Sequence, residues 1–303
     1  MTADEVESLL DRIPGWAGRA RIERDLAGGI TNRNTLVAVG AQRYVLRRSG
    51  PDSHLLEIDR AREVEAATRA AGLGFGAEVV AWLPDDHALV TRFVEGETVV
   101  AADLAHPDVL GEVAGHLARF HASGPLSGAF DAFRVPARHC AVARSRGVTI
   151  PPEYETAAAC SAEVAAVFAA APEPAVPCHN DLLSANFIRT EEGVRILDWE
   201  YAGNNDRYFD LANLSVNNAF DAATEEALVR AYFGAVDAQR LARLRLMRII
   251  SDLREATWGL AQQAISTIDF DYAGYARDHF DRLLAAAAAP EYRTLLDDAA
   301  GVG

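Results

Sequence analysis

The 303-residue sequence predicts an α+β protein of two lobes, on three observations. Short β-type runs gather in the first third of the chain (24–39, 44–48, 77–83 and 88–93), with one helix-period segment, 57–71, among them. Past residue 96 amphipathic helix patterns dominate. Near residue 190 two more β-type runs flank a tight turn, and each adjoins a cluster of polar side chains. The length suits two cores, and half of the residues are hydrophobic. The expected division is an N-terminal lobe over 1–95 and a C-terminal lobe over 96–303.

Taken in order, Val6, Leu9, Leu10 and Ile13 recur at helical spacing until Pro14-Gly15 stops them. Gly28-Gly29-Ile30-Thr31-Asn32 reads as a turn between strand-like runs, with small residues that would let a backbone approach a ligand. The helix over 57–71 carries Ile58, Ala61, Val64 and Ala67 as its apolar stripe and ends at Gly72. The strands 77–83 and 88–93 are joined by Pro84-Asp85-Asp86-His87, and Thr91 to Gly96 reads as the hinge between lobes. Helix patterns follow over 109–121, 153–171, 224–233 and 238–265. The stretch 123–152 is rich in Gly and Pro and reads as loop.

Composition narrows the chemistry. A net charge of −15 disfavours nucleic acid and anionic membrane surfaces as partners. Every basic side chain is Arg. Without a lysine there is no Walker-type phosphate loop, so any phosphate-binding cation must be an arginine. Three cysteines without metal-type spacing suit a reduced, cytoplasmic protein. No secretory leader or membrane-spanning run is expected.

The hairpin carries the chemistry. His179, Asn180, Asp181, Ser184 and Asn186 precede it, and Asp198 and Glu200 follow it. Paired strands return both clusters to the same end, which brings two aspartates and an amide oxygen within reach of one site. Such hard oxygen donors suit Mg²⁺, especially with phosphates and water completing the octahedron. A lone histidine beside Asn180 argues against zinc hydrolysis. Phosphoryl transfer fits better, with Asp181 orienting a hydroxyl and accepting its proton while Asn186 and Asp198 hold the metal.

His179-Asn-Asp-x4-Asn186, then Ile196-Leu-Asp-Trp-Glu-Tyr-Ala202, then Asp206-x3-Asp-Leu-Ala212, resembles the choline/ethanolamine kinase branch of the aminoglycoside-phosphotransferase-like kinases. The resemblance spans nearly the whole chain and implies a two-lobed protein-kinase-like fold, ATP and Mg²⁺ as cofactors, and a small amino alcohol as substrate. It places Gly29, Thr31 and Asn32 at the phosphates, with Arg47 beneath them and Arg48 as the spare candidate. Glu63 would pair with that cation, Glu65 being the alternative. The backbone at Arg92 and Val94 would meet the adenine. Asp210 would brace the catalytic turn, with Asp206 capping the following helix.

The run Leu253 to Tyr275 is similar to the same branch in its bacterial form, with Trp258 and Tyr201, joined by Trp199, as an aromatic box for a cation and Glu200 adding attraction. Leu183 and Asn217 stand where animal choline kinases carry Gln and Glu, and a second tryptophan is absent. Choline leads the expected acceptors, followed by ethanolamine, thiamine and an aminoglycoside. A nucleotide-binding pseudokinase is the reading from another class, and it would lack one of Asp181, Asn186 and Asp198.

Overall fold

A computed structural model describes residues 3–26, 32–49 and 53–301. Helix α1 (Ala3–Asp11) leads into β1 (Ala20–Leu26), β2 (Asn32–Val39) and β3 (Gln42–Ser49). Helix α2 (Arg60–Gly72) follows, then β4 (Val79–Leu83) and β5 (Ala88–Arg92). These strands form one antiparallel sheet in the order β1-β2-β3-β5-β4. Side-chain alternation along β3 gives the sheet two purposes. Tyr44 and Leu46 bury themselves with Leu9, Leu10 and Trp16 under α1, while Val45 and Arg47 face a cleft on the other side.

Asp59 starts α2 by accepting hydrogen bonds from the amides of Ala61 and Arg62. The helix begins at Arg60 rather than at residue 57, because Glu57 adopts a φ of 65°, outside the helical region. Its small residues Ala66, Ala67 and Ala70 pack with Phe75 and the helices of the C-terminal lobe, not with the core beneath α1. Helix α2 therefore packs with the larger core, while its first turn brings Glu63 to Arg47 on the cleft side of the sheet.

Beyond β5 the chain forms β6 (Glu97–Thr98), α3 (Ala101–Leu104), α4 (Pro107–His121), α5 (Val135–Ser145) and α6 (Glu153–Ala170). Next come β7 (Val176–Cys178), β8 (Phe187–Thr190), β9 (Gly193–Ile196) and β10 (Gly203–Asn205). Helices α7 (Arg207–Asn217), α8 (Ala222–Phe233), α9 (Ala238–Ile265), α10 (Tyr272–Ala288) and α11 (Tyr292–Ala300) complete the lobe. Strands β6, β8 and β9 form a second small sheet, and β7 pairs with β10. A Cβ at Gly96 would overlap the carbonyl of Arg189, so the hinge needs glycine where β6 meets β8.

This is the two-lobed α+β arrangement that the sequence predicts, with α3, α5, α10 and α11 as helices it did not anticipate. Helix α5 lies inside the stretch expected to be loop. Pro136 reads as a breaker, yet it occupies the first turn, where its missing N–H is not needed. Val135, Pro136, His139, Cys140 and Ala143 form the buried face. Helix α9 is the axis of the lobe, buried for most of its length and packed against α5, α7, α10 and α11. Among the described residues no helix is long and apolar enough to cross a membrane.

Replacing Asp59 with alanine should cost about 1 kcal/mol of stability, since two amides at the start of α2 lose their acceptor. Urea unfolding of Asp59→Ala beside the parent protein measures it.

Candidate active site

Strands β8 and β9 pair antiparallel, Phe187 opposite Ile196 and Thr190 opposite Gly193, with Glu191-Glu192 at the turn. That register returns Leu197 to Asn186, whose carbonyl accepts the Leu197 amide at 2.9 Å. The Asn186 side-chain Nδ2 donates to the Asp181 carbonyl at 2.8 Å, which leaves its amide oxygen as the donor it offers a cation. His179 joins the two clusters: its Nδ1 accepts from the Asp181 amide at 3.2 Å, and its Nε2–H donates to the Leu197 carbonyl at 2.9 Å. Burial lowers the pKa of this ring, which keeps it in the neutral form that both bonds require.

Asn180 and Asp198 both adopt left-handed backbone, with φ of 66° and 63°. Asn and Asp tolerate that conformation better than other side chains, and surrounding bonds can fix it. At Asn180 the enforcement is visible. Its Nδ2 donates to the Tyr201 carbonyl at 3.0 Å and its Oδ1 accepts from Asn205 at 2.8 Å. Behind it, the buried Asp210 carboxylate accepts the amides of His179 (2.8 Å) and Asn180 (2.7 Å) and the Nε2–H of His121 (3.0 Å). Asp206 caps α7 by accepting from the Tyr208 amide at 2.9 Å. His121, Cys178 and Asp210 lie close enough together to suggest a metal site. The Asp210 oxygens are already committed to the turn, so the trio is an anchor.

In front of the hairpin lies a cleft of about 490 Å³, lined by Val45, Arg47, Leu89, Phe93, Asn186 and Asp198 among others. Arg47 spans it, one Nη paired with Glu63 and the other with Asp198. Glu65 instead pairs with Arg69 at 2.9 Å and accepts the Ser127 amide at 2.9 Å. The charges continue inward. Arg60 Nη1 donates to Glu63 Oε2 at 2.6 Å and to Glu200 Oε2 at 3.1 Å, and Nη2 to Asn32 Oδ1 at 3.2 Å. Asn32 Nδ2 donates to Glu200 Oε2 at 2.8 Å. Asp198, Arg47, Glu63, Arg60 and Glu200 thus form a row of alternating sign from the cleft to the lobe interface.

On the far side of Asp181, the α9 side chains Arg254, Glu255 and Trp258 meet the loop. Trp258 Nε1 donates to the Tyr201 hydroxyl at 2.9 Å. Tyr272 and Tyr275 stand edge-on to Trp258, at centroid distances of 5.9 and 5.6 Å, and the exposed Phe270 lies 4.9 Å from Tyr272. The Tyr275 hydroxyl donates to Glu255 at 2.8 Å. Burial raises the Asp181 pKa to about 8, overcoming the opposing Arg254 charge, and the negative charges of Glu255, Asp198 and Glu200 act in the same direction as burial.

The expected residues therefore fall into separate places. Asp181, Asn186 and Asp198 come together at the end of the hairpin, with Arg47 and Glu63 facing them. Two hard oxygen donors at the cleft, Asn186 and Asp198, fit a magnesium ion. Gly29 and Thr31 lie outside the described residues. Asn32 is turned toward Glu200 and Arg60. At the hinge, the Arg92 amide donates to the Glu78 carbonyl at 2.8 Å, and Arg92 and Val94 line the cleft. Glu200 is buried between Arg60 and Asn32. The Tyr201 ring has the guanidinium of Arg254 over it, 4.3 Å from its centroid. Trp199 packs on Phe120 and His179 in the core, away from any acceptor cage.

Six side chains around the site escape a reading of the sequence: Arg60, Arg254, Glu255, Phe270, Tyr272 and Tyr275. One signal pointed to Arg254, which precedes Trp258 by four residues and so shares its helix face.

Residues 23–246 match the phosphotransferase enzyme family. A choline/ethanolamine kinase family protein from Mesorhizobium loti superposes with a TM-score of 0.83 at 32% identity, over 99% of this chain and 100% of that one. Choline kinase LicA from Streptococcus pneumoniae has a TM-score of 0.80 at 20% identity, with 94% and 98% covered. A LicA structure in complex with AMP gives 0.77 at 21%, with 94% and 96% covered. A probable ethanolamine kinase of Arabidopsis thaliana is 26% identical over 296 positions, which span 84% of this chain and 76% of that protein.

Asp210→Ala should destabilise the protein by about 2–4 kcal/mol, because two buried amides and a histidine lose their acceptor together. Equilibrium unfolding in urea reads the loss.

Proposed function

This chain belongs to the phosphotransferase enzyme family, and from that premise we propose that it transfers the γ-phosphoryl group of ATP, with Mg²⁺, to the hydroxyl of choline or ethanolamine. The observation that carries the reading is the convergence of Asp181 with Asn186 and Asp198, the last two lining a cleft spanned by Arg47. Phosphoryl transfer asks a protein chiefly for positioning and for charge opposite the phosphates, and these are the groups it needs. The small-molecule kinase class itself rests on the family match.

In this reading Arg47, oriented by Glu63, meets the nucleotide phosphates, and the backbone at Arg92 and Val94 borders the base. Asn186 and Asp198 would hold the magnesium ion, which when bound offsets charge on the phosphate oxygens. Asp181 takes the proton of the acceptor hydroxyl as that oxygen bonds to the γ-phosphorus. The bond to the bridging oxygen breaks, and ADP carries away the electron pair. The acceptor's cation lies against Trp258, with Tyr272, Tyr275 and Phe270 around it and Glu255 supplying negative charge. Tyr201 contributes through its bond to Trp258, and Glu200 through the field of a buried carboxylate. Three thiols, none in a disulfide, fit a reducing compartment.

Release of ADP with ATP, Mg²⁺ and a panel of choline, ethanolamine, thiamine and an aminoglycoside tests the proposal. Turnover with neither choline nor ethanolamine removes it. Trp258→Ala should raise KM for choline at least tenfold while leaving KM for ATP unchanged.

Asp181→Asn should lower kcat by about 10²–10⁴-fold, and its stability should respond to pH with a definite sign. A carboxyl raised from 3.8 in the unfolded chain to about 8 in the fold stabilises the fold below pH 3.8 and loses that contribution as pH rises toward 8. Thermal unfolding from pH 5 to 8 should therefore show Asp181→Asn gaining on the parent as pH increases.

A further inference from the structure

One turn before Trp258, helix α9 carries a charged side chain for which the proposed chemistry has no assigned use. Arg254 is 1% exposed. Its Nη1 donates to Asp181 Oδ1 at 3.1 Å and to Glu255 Oε1 at 2.6 Å. Its guanidinium carbon lies 4.3 Å from the centroid of the Tyr201 ring. Both supports are themselves fixed. Glu255 receives the Tyr275 hydroxyl at 2.8 Å on its other oxygen, and the Tyr201 hydroxyl receives Trp258 Nε1 at 2.9 Å.

A planar fork held by one ring face and two carboxylates has little freedom left. Yet Nε and Nη2 of the same group are buried without hydrogen-bond partners among the described residues. Unpaired buried donors weaken a fold, and an apolar side chain would fill the space without them. Stability alone does not account for the placement.

We propose that Arg254 is the positioning residue of the acceptor site. It holds Oδ1 of Asp181, so that Oδ2 is the oxygen presented to the acceptor hydroxyl. It also covers the Tyr201 ring, which confines the acceptor's cation to the side formed by Trp258, Tyr272 and Tyr275. A quaternary ammonium group placed on Tyr201 would meet a fixed positive charge. On the Trp258 side it meets rings and the Glu255 carboxylate. The inference rests on the kinase reading above.

Steady-state kinetics of Arg254→Lys, Arg254→Met and Arg254→Ala, with choline and ethanolamine as acceptors, test it. Thermal unfolding and ATP-analogue binding of each variant run alongside. Misplacing a catalytic group by an ångström costs about 10²-fold. Arg254→Met should therefore lose about that factor in kcat while KM for ATP stays within twofold. Arg254→Lys retains a buried charge and should recover part of the loss, and it serves as the variant if Met prevents folding. Millimolar methylguanidinium should restore activity to Arg254→Ala at least fivefold.

Folded variants that keep kcat within twofold of the parent overturn the inference. So does a loss that follows only the unfolded fraction, with no rescue by methylguanidinium. A parent enzyme that releases no ADP with any alcohol overturns the kinase reading instead, and the two failures are thus distinct.

Discussion

Everything at the site depends on a carboxylate that water does not reach. Asp210, at the start of α7, gathers the amides of His179 and Asn180 together with a histidine from α4. Those amides belong to a turn in which Asn180 takes left-handed backbone, a conformation that Asn tolerates better than most side chains do. Charge-assisted bonds in a buried setting are stronger than neutral ones, which is what such a turn requires. Once the turn is fixed, His179 ties it to the end of the hairpin: Nδ1 accepts the Asp181 amide and Nε2–H donates to the Leu197 carbonyl. Two stretches of chain nearly twenty residues apart then hold their aspartates in one frame.

The second constraint is electrostatic. A row of alternating charges, Asp198, Arg47, Glu63, Arg60 and Glu200, runs from the cleft to the lobe interface. A single ion pair buried there would be a poor bargain, since desolvation rivals the attraction. Alternation changes the balance, because each interior member has a partner on both sides. Helix α2 supplies two of the five and packs its alanine face on the C-terminal core. The row therefore ties the sheet of the smaller lobe to a helix that belongs, by packing, to the larger one.

How much of this the sequence disclosed follows from the range of the interactions. The hairpin was legible because β-type runs on either side of Thr190-Glu-Glu-Gly leave few alternatives, and the convergence of Asp181, Asn186 and Asp198 follows from pairing geometry alone. The choice between Glu63 and Glu65 was not legible, since two residues on one helix turn differ only in which neighbour they face. Glu200 and Tyr201 read as acceptor groups from their place beside Asp198, but Arg60 and Arg254, distant in sequence, cover both. Helix α5 was hidden by a proline whose cost vanishes in a first turn. Local pattern reveals elements and turns; the ownership of a buried charge is settled by tertiary contacts that no window of sequence contains.

The arginine that bridges Glu63 and Asp198 has one more implication. Its kind makes up every basic side chain of these 303 residues. Where a lysine ammonium is a single point charge, a guanidinium reaches Glu63 and Asp198 at once through two coplanar nitrogens. It is also invisible to the acyl groups, sugars and ubiquitin ligases that seek side-chain amines. The cation at the mouth of this cleft therefore offers no amine to acetylate.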